Sequence, residues 1–278
     1  MNTKIQKGIE GMAKIGFIGM GNMGYAMLKG ALSVFSSGEL IFTDVNTERM
    51  ITVAKETKVA YAETNAELAN SAKYIVLAVK PQFYNQVLHN IENIVKEDNV
   101  IISIAPGISI QRLKDALGFN SRIVRAMPNT PALIGEGMTG VCYDDKLLNY
   151  EEKDVISKLF GSFGKYRIVE ERLMSAVTCA SGSSPAYVYM FIEAMADAAV
   201  MKGMPRAAAY EMVAQTVLGA AKMVLETGKH PGELKDMVCS PGGTTIAGVA
   251  ALEEHGFRNS IIKAVEACYD VAEGFNKK

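Results

Sequence analysis

The segment Ile15–Leu28, IGFIGMGNMGYAML, constrains this chain more than any other. It sets Gly19, Gly21 and Gly24 in G-x-G-x-x-G spacing, with a β-branched run before them, a helical pattern after them, and Asp44 closing the next apolar run. In that setting the glycines have separate tasks: Gly19 allows a tight turn, Gly21 lets backbone approach a pyrophosphate, and Gly24 lets helix and strand pack closely. The intervening Met20, Asn22 and Met23 complete a turn whose unpaired amides face an anion at the positive end of a helix. The turn therefore predicts a dinucleotide site for NAD(P)H. Asp44 is placed to accept from a ribose 2′-hydroxyl and to repel a 2′-phosphate. Val45 after it carries no charge, Arg49 is the nearest arginine, and Lys29 and Lys55 are the other nearby cations, so the reading leans to NADH.

The first half alternates apolar runs with helical patterns. The runs are Lys14–Gly19, Leu40–Asp44, Lys73–Val79, Asn99–Ile104 and Arg122–Ala126. Helical patterns fall at Asn22–Phe35, Thr47–Glu56, Ala66–Ser71, Pro81–Val95 and Ser109–Leu117. This alternation predicts an α/β fold, a doubly wound parallel sheet of the Rossmann type over 14–170, after a leader at 1–13. Residues 127–137, with two prolines and two glycines, read as a loop, and a helix near Tyr150–Phe163 and a strand near Tyr166–Val169 close the domain. Ligands bind at the carboxyl edge of such sheets. That edge should carry Ala78, Val79, Lys80 and Pro81, and also Ala105 and Gly107. Lys80 reads equally as a contact near the nicotinamide ribose or as a solvated lysine before a helix-starting proline.

After Glu170, Ala, Met and Leu dominate and strand signals stop. Helices are predicted from Pro185 to Lys202, Arg206 to Thr227, Pro231 to Val238, Thr244 to His255 and Phe257 to Phe275, an all-α domain over 171–278. The helices across Ala176–Leu225 carry few charges, so most of their faces need cover, which predicts an obligate dimer. Two turns stand out. In Ser181-Gly182-Ser183-Ser184-Pro185, Ser184 is the expected N-cap of a long helix. Ser240-Pro241-Gly242-Gly243-Thr244-Thr245 also runs straight into a helix. Amide-rich turns of this kind suit a small carboxylate.

Bulk composition narrows the partners. The chain has 278 residues, 49% hydrophobic and 21% charged, with 29 basic against 30 acidic residues. A net charge of -1 offers no basic face for nucleic acid. No run of about 20 apolar residues predicts a membrane span, and no signal peptide is read. Cys142, Cys179, Cys239 and Cys268 form no CxxC pair, in keeping with a cytoplasmic enzyme. His89, His230 and His255 show no metal spacing, so no metal is expected.

At this point the chain resembles the pyrroline-5-carboxylate reductases, on the strings FIGMGNMG, AVKP, RAMPNTPALIGEGMT, SGSSPAY, MADAAVMKGMPR, HPGELKDMVCSPGGTTIAG and LEEHGFR, in that order. The resemblance runs from about Lys14 to the end. It implies reduction of 1-pyrroline-5-carboxylate to L-proline by hydride from NAD(P)H, at a site on the interface of a homodimer formed through the C-terminal helices, with assembly to a decamer open. Backbone groups of Gly242, Gly243 and Thr244 would hold the substrate carboxylate, with Glu171, Ser181, Gly182 and Ser183 alongside. Thr245 would be the catalytic residue, its hydroxyl beside the imine nitrogen, while Asn65 and Ala78–Pro81 would line the cofactor. Two departures are Ser184 and Pro106, where glycine and alanine are common; Pro106 removes one amide donor. Alternatives are a reductase of a related cyclic imine or a 2-oxo acid, and a non-catalytic nucleotide sensor. Hydroxyacid dehydrogenases of this architecture usually place a catalytic lysine in the first long helix of the second domain, and Pro185–Lys202 offers only Lys202, at its far end.

Overall fold

The computed structural model describes residues 13–118 and 120–276, so the expected leader, up to residue 12, lies outside the described residues. Two compact units result: 1–183 with 268–278, and 184–267.

The first unit is built on β1 (Ala13–Ile18), α1 (Asn22–Ala31), β2 (Leu40–Thr43), α2 (Thr47–Thr57), β3 (Ala60–Tyr61), α3 (Asn65–Ser71) and β4 (Ala72–Leu77). It continues through α4 (Tyr84–Ile91), β5 (Val100–Ser103), α5 (Ile110–Leu117), β6 (Arg122–Met127), β7 (Gly137–Tyr143), α6 (Tyr150–Gly161), β8 (Gly164–Ile168) and α7 (Met174–Val177). The strands form one sheet in the order β3-β2-β1-β4-β5-β6-β7-β8. All neighbours are parallel except β6 and β7. Alternate residues face opposite layers: Phe17, Phe42, Val76 and Ile102 join one core, and Ile18, Ile41, Ile75 and Ile101 the other. That two-sided burial is why the strands read as unbroken apolar runs. At the amino edge the buried carboxylate of Glu152 meets Lys73 at 3.1 Å and Arg122 at 2.9 Å.

Three features differ from the sequence reading. No strand is predicted over Gly137–Tyr143, because Gly137 and Gly140 interrupt its apolar pattern, yet β7 forms there. Those glycines are steric necessities: a Cβ on Gly140 would lie 2.5 Å from Val177, and one on Gly137 2.8 Å from the Phe163 carbonyl. The two-residue β3 is too short to leave a pattern. The helix expected over Pro81–Val95 is a 3₁₀ turn, Pro81–Phe83, followed by the shorter α4.

The second unit pairs α8 (Ser184–Met201) with α9 (Arg206–Thr227), followed by α10 (Pro231–Val238), α11 (Thr244–Glu254) and the start of α12 (Phe257–Asn276). Arg206 pairs with Asp197 and lies over the Tyr210 ring, and the Phe191 and Phe257 rings stand 6.0 Å apart. Its buried cluster holds only Ala196, Ala209 and Val213. Met201 is 84% and Met190 68% exposed. A helical unit that hides so little of its apolar surface gains stability by covering it elsewhere. Among the described residues no helix is long and apolar enough to cross a membrane.

Candidate active site

The dinucleotide turn sits where the strand order reverses, between β1 and β4, the position at which open α/β sheets bind ligands. Gly19 takes φ +101°, and a Cβ there would lie 2.8 Å from the Ala78 carbonyl oxygen. A Cβ on Gly24 would come within 2.0 Å of the Gly19 carbonyl. These two glycines are therefore required by the protein itself. At Gly21 a Cβ would meet nothing within 4 Å, so this glycine leaves open space in front of the turn. Gly21 is the N-cap of α1, and the first intrahelical bond runs from Tyr25 N–H to Gly21 O at 3.0 Å. The amides of Asn22, Met23 and Gly24 precede that bond and offer donors to an anion. The open space and the amides left by the helix start are what a pyrophosphate would need.

Asp44 follows β2 and does more than sequence reasoning assigns to it. Its Oδ2 accepts from the Met20 N–H at 2.6 Å and its Oδ1 from the Asn46 N–H at 2.9 Å. Arg49, in the first turn of α2, donates from Nε to the Met20 carbonyl at 3.0 Å and lies 4.6 Å from the centre of the Tyr25 ring. The Tyr25 hydroxyl donates in turn to Glu56 at 2.8 Å, which raises the Tyr25 pKa. Lys29 and Lys55 are exposed.

The other residues expected to line the cofactor lie at the neighbouring strand ends and at the start of α3. Ala78 N–H donates to Ile18 O at 2.8 Å, binding the end of β4 to β1. Val79 is half-buried and Lys80 exposed, capping the turn that Pro81 begins. Ala105 is buried and Gly107 takes φ +72°. Asn65 is the half-buried first residue of α3, whose N-cap Thr64 accepts from the Glu67 N–H. Tyr84, which sequence reasoning misses, is fully buried and donates to Leu77 O at 2.9 Å. It also bonds Ser103 Oγ at 3.0 Å, tying the ends of β4 and β5 together. Burial pushes its hydroxyl pKa up to about 12. No periodic signal marks such a tyrosine.

Glu171 stands between two elements of the first unit: its Oε1 accepts from the Ile110 N–H at the start of α5 at 2.7 Å, and from buried Arg125 at 3.0 Å. The nearby segment Ser181–Ser184 corrects an expectation. Ser184 does not cap a free helix end. The chain passes from α7 through a π-helical turn, Thr178–Gly182, into α8, and the Ser183 N–H donates to Thr178 O at 2.8 Å. An extra residue fitted into a helix makes such a turn, and it consumes the amide expected to point outward. Ser181 Oγ donates to Val177 O at 3.0 Å, and Cys268 Sγ to Ser183 Oγ at 3.4 Å. Asn129, another residue the sequence does not flag, locks this turn. Its Nδ2 donates to Ser181 O at 3.0 Å while its Oδ1 accepts from the Met138 N–H at 2.8 Å.

In the second unit the SPGGTT turn matches its prediction in form. Gly242 takes φ +67° and Gly243 caps α11. A Cβ on Gly243 would lie 2.4 Å from Ser240 Oγ. The first intrahelical bond runs from Ala247 N–H to Gly243 O at 3.4 Å, so the amides of Thr244 and Thr245 precede it. Thr244 is exposed and Thr245 half-buried. α8 contains no lysine. Among the described residues no group of three or more His, Cys, Asp or Glu is placed to hold a metal ion.

Comparison with known proteins covers both halves. Residues 171–275 match the family described as pyrroline-5-carboxylate reductase dimerisation, and residues 14–107 the family described as NADP oxidoreductase, coenzyme F420-dependent. The pyrroline-5-carboxylate reductase of Escherichia coli is 46% identical over 95% of this chain and 98% of that protein. The one from Methanosarcina acetivorans is 41% identical over 95% and 98%. Among solved structures, the pyrroline carboxylate reductase of Plasmodium falciparum with NADP bound superposes with a TM-score of 0.86 at 34% identity, over 96% of this chain and 100% of that one. A pyrroline-5-carboxylate reductase from Coxiella burnetii gives 0.88 at 31%, over 96% and 100%.

Proposed function

The chain belongs to the pyrroline-5-carboxylate reductase family and reduces 1-pyrroline-5-carboxylate to L-proline with NAD(P)H, the last step of proline synthesis; from that premise we propose how its residues divide the work. The observation that carries the activity is identity of 46% across nearly the whole of a curated relative, with the dinucleotide cradle intact.

The glycine turn binds the pyrophosphate: the amides of Asn22, Met23 and Gly24 point at it, and Gly21 leaves it room. Met20 and Asp44 fix the shape of the turn, and Asn65, Ala78–Pro81, Ala105 and Gly107 line the remaining groove. The bound nicotinamide supplies the hydride. The substrate is a small cyclic imine bearing a carboxylate. Amides of Gly242 and Thr244 hold that carboxylate at the start of α11, where the helix end favours negative charge, while Gly243, whose N–H donates to Ser240 O at 3.1 Å, shapes the turn between them. Thr245 places its hydroxyl beside the imine nitrogen as a hydrogen-bond partner. Glu171, Ser181, Gly182 and Ser183 complete the substrate-binding set. Their part is to shape and orient, since Glu171 and the π-helical turn are held by Arg125, Ile110 and Asn129. Hydride transfer to an imine that enters protonated needs alignment more than a strong acid, which suits a site of hydroxyls and amides.

The match to a dimerisation family over 171–275 makes the chain a homo-oligomer. The finer reading is a homodimer through the C-terminal helices, with a decamer as a further assembly. Support comes from the exposed methionines and the small core of the second unit. Cytoplasmic placement accords with four cysteines that no disulfide joins.

The test is turnover. Purified protein, 1-pyrroline-5-carboxylate and NADH or NADPH should give loss of reduced-nicotinamide absorbance with stoichiometric L-proline. Turnover of pyrroline-2-carboxylate or a 2-oxo acid in preference to 1-pyrroline-5-carboxylate would refute the substrate. Light scattering of the same sample reads the assembly.

A further inference from the structure

We propose that Arg49 is the residue that sets how this enzyme divides between NADPH and NADH, by gripping the phosphate on the adenosine 2′-oxygen. The inference rests on the reading that the first unit takes a nicotinamide dinucleotide. In such folds the adenosine ribose lies at the carboxyl end of the second strand, here the end of β2. Two opposite charges meet there. Asp44 has both oxygens committed: Oδ2 accepts from Met20 N–H and Oδ1 from Asn46 N–H. Its first task is to hold the glycine turn. A carboxylate engaged with two amides has less to give a ribose hydroxyl, although its charge still opposes a phosphate.

Arg49 is in the contrary position. Only Nε is used, as a donor to the Met20 carbonyl. Among the described residues no carboxylate lies within ion-pair distance of Arg49 and neither terminal nitrogen makes a hydrogen bond. Stacking on the Tyr25 ring and the bond to Met20 fix the plane of the guanidinium, so its remaining fork is pre-organised. A planar fork of donors is the side chain best matched to a phosphate. Its backbone is held as well, since the Arg49 N–H donates to Asn46 Oδ1 at 3.0 Å. Val45, directly after Asp44, is fully exposed and blocks nothing. The same turn thus carries a carboxylate tolerant of the 2′-hydroxyl and a cation for the 2′-phosphate. Removing the cation leaves the carboxylate to decide.

The experiment compares the two cofactors in wild type, Arg49→Ala and Arg49→Gln, the last keeping an N–H donor for Met20 without the charge. The expected result is that kcat/KM for NADPH falls about tenfold or more further than that for NADH in both variants, as for a lost charge-assisted bond. A binding arm needs no turnover: calorimetry with 2′,5′-ADP and with ADP should show the preference for the 2′-phosphate shrinking by a similar factor. An unchanged NADPH-to-NADH ratio, or equal loss with both cofactors, overturns the proposal. If wild type turns over neither cofactor, the catalytic reading fails and the nucleotide titration still decides on Arg49.

Discussion

The carboxylate of Asp44 and the backbone amide of Met20 meet at 2.6 Å, so the end of one strand grips the glycine turn that leaves its neighbour. The contact makes Asp44 a structural member of the cofactor site as well as a candidate ribose partner. A hydrogen bond to a charged group is worth about 1.5–3 kcal/mol. Asp44→Ala is therefore expected to raise KM for both cofactors by roughly 10–100-fold. Steady-state kinetics with each cofactor checks this. A gain with NADPH, as expected from simple removal of a repelling charge, would show that the clamp is secondary.

Most of the first unit is legible in the sequence because its strands are buried on both faces and its helices start and stop with recognisable residues. The caps Asn46, Ser109 and Asn149 all accept from the amide three residues on. Strand β7 is not legible, because its glycines answer contacts with Val177 and Phe163 that are distant in sequence. The π-helical turn is hidden for the same kind of reason. Serine and glycine before a proline look like a cap, and the Asn129 side chain that holds the continuous turn at Ser181 O comes from far upstream. Tyr84 leaves no sign in the sequence because its partners, the Leu77 carbonyl and the Ser103 hydroxyl, follow no spacing rule, and Arg49 shows there only as the nearest arginine to Asp44, without its bond to Met20 O or its place over the Tyr25 ring.

Gly21 and Gly24 should fail in different ways. Gly21→Ala meets no protein atom, so the fold is expected to keep its melting temperature while dinucleotide KM rises. Gly24→Ala collides with the Gly19 carbonyl at 2.0 Å, so the turn must open and stability fall. Thermal unfolding beside cofactor titration separates the two. Equal stability loss in both variants would mean that the space at Gly21 is not reserved for a ligand.

Asn129→Ala leaves the Met138 amide and the Ser181 carbonyl without their partner. Both groups are half-buried, so each orphan costs toward the lower end of about 1–3 kcal/mol. A clearly lower urea midpoint is expected, with KM for the imine raised more than KM for the dinucleotide, since the π-helical turn is the segment released. Wild-type midpoint and KM values in this variant would take Asn129 out of the support for the site.

Tyr84 ties the groove to alkaline stability. Its pKa stands near 12 in the folded chain against 10.0 for the free side chain, and burial is the main cause. Below pH 10 both folded and unfolded forms are protonated, and the group's contribution is constant. Between pH 10 and 12 the unfolded chain releases a proton the folded chain retains, so stability falls as pH rises. Burial also holds Tyr74 and Cys142 near 12, so the wild type should lose stability steeply in that range. Tyr84→Phe should be less stable at neutral pH and lose stability more gently, by about 1.4 kcal/mol per pH unit, the slope of one proton. Urea denaturation across the alkaline range measures both slopes, and parallel curves would mean that Tyr84 ionises normally.

Thr245 is the hydroxyl in the second unit on which the proposed chemistry depends. It lies two residues past the Gly243 cap and sits half-buried in the first turn of α11. Losing one hydrogen bond to a charged group costs about 1.5–3 kcal/mol, on the order of 10–100-fold in rate. Thr245→Ala is therefore expected to lower kcat/KM for 1-pyrroline-5-carboxylate by roughly that factor, with KM for the dinucleotide little changed. Thr245→Ser keeps the hydroxyl and should recover most of the loss, which separates a hydrogen-bonding role from a packing one. A methyl group lost from a half-buried helix start affects both variants alike, whereas the oxygen that accepts from the protonated imine N–H is lost only in the alanine. Equal activity of Thr245→Ala and wild type would leave alignment by the backbone amides of Gly242 and Thr244 as the whole contribution of this turn.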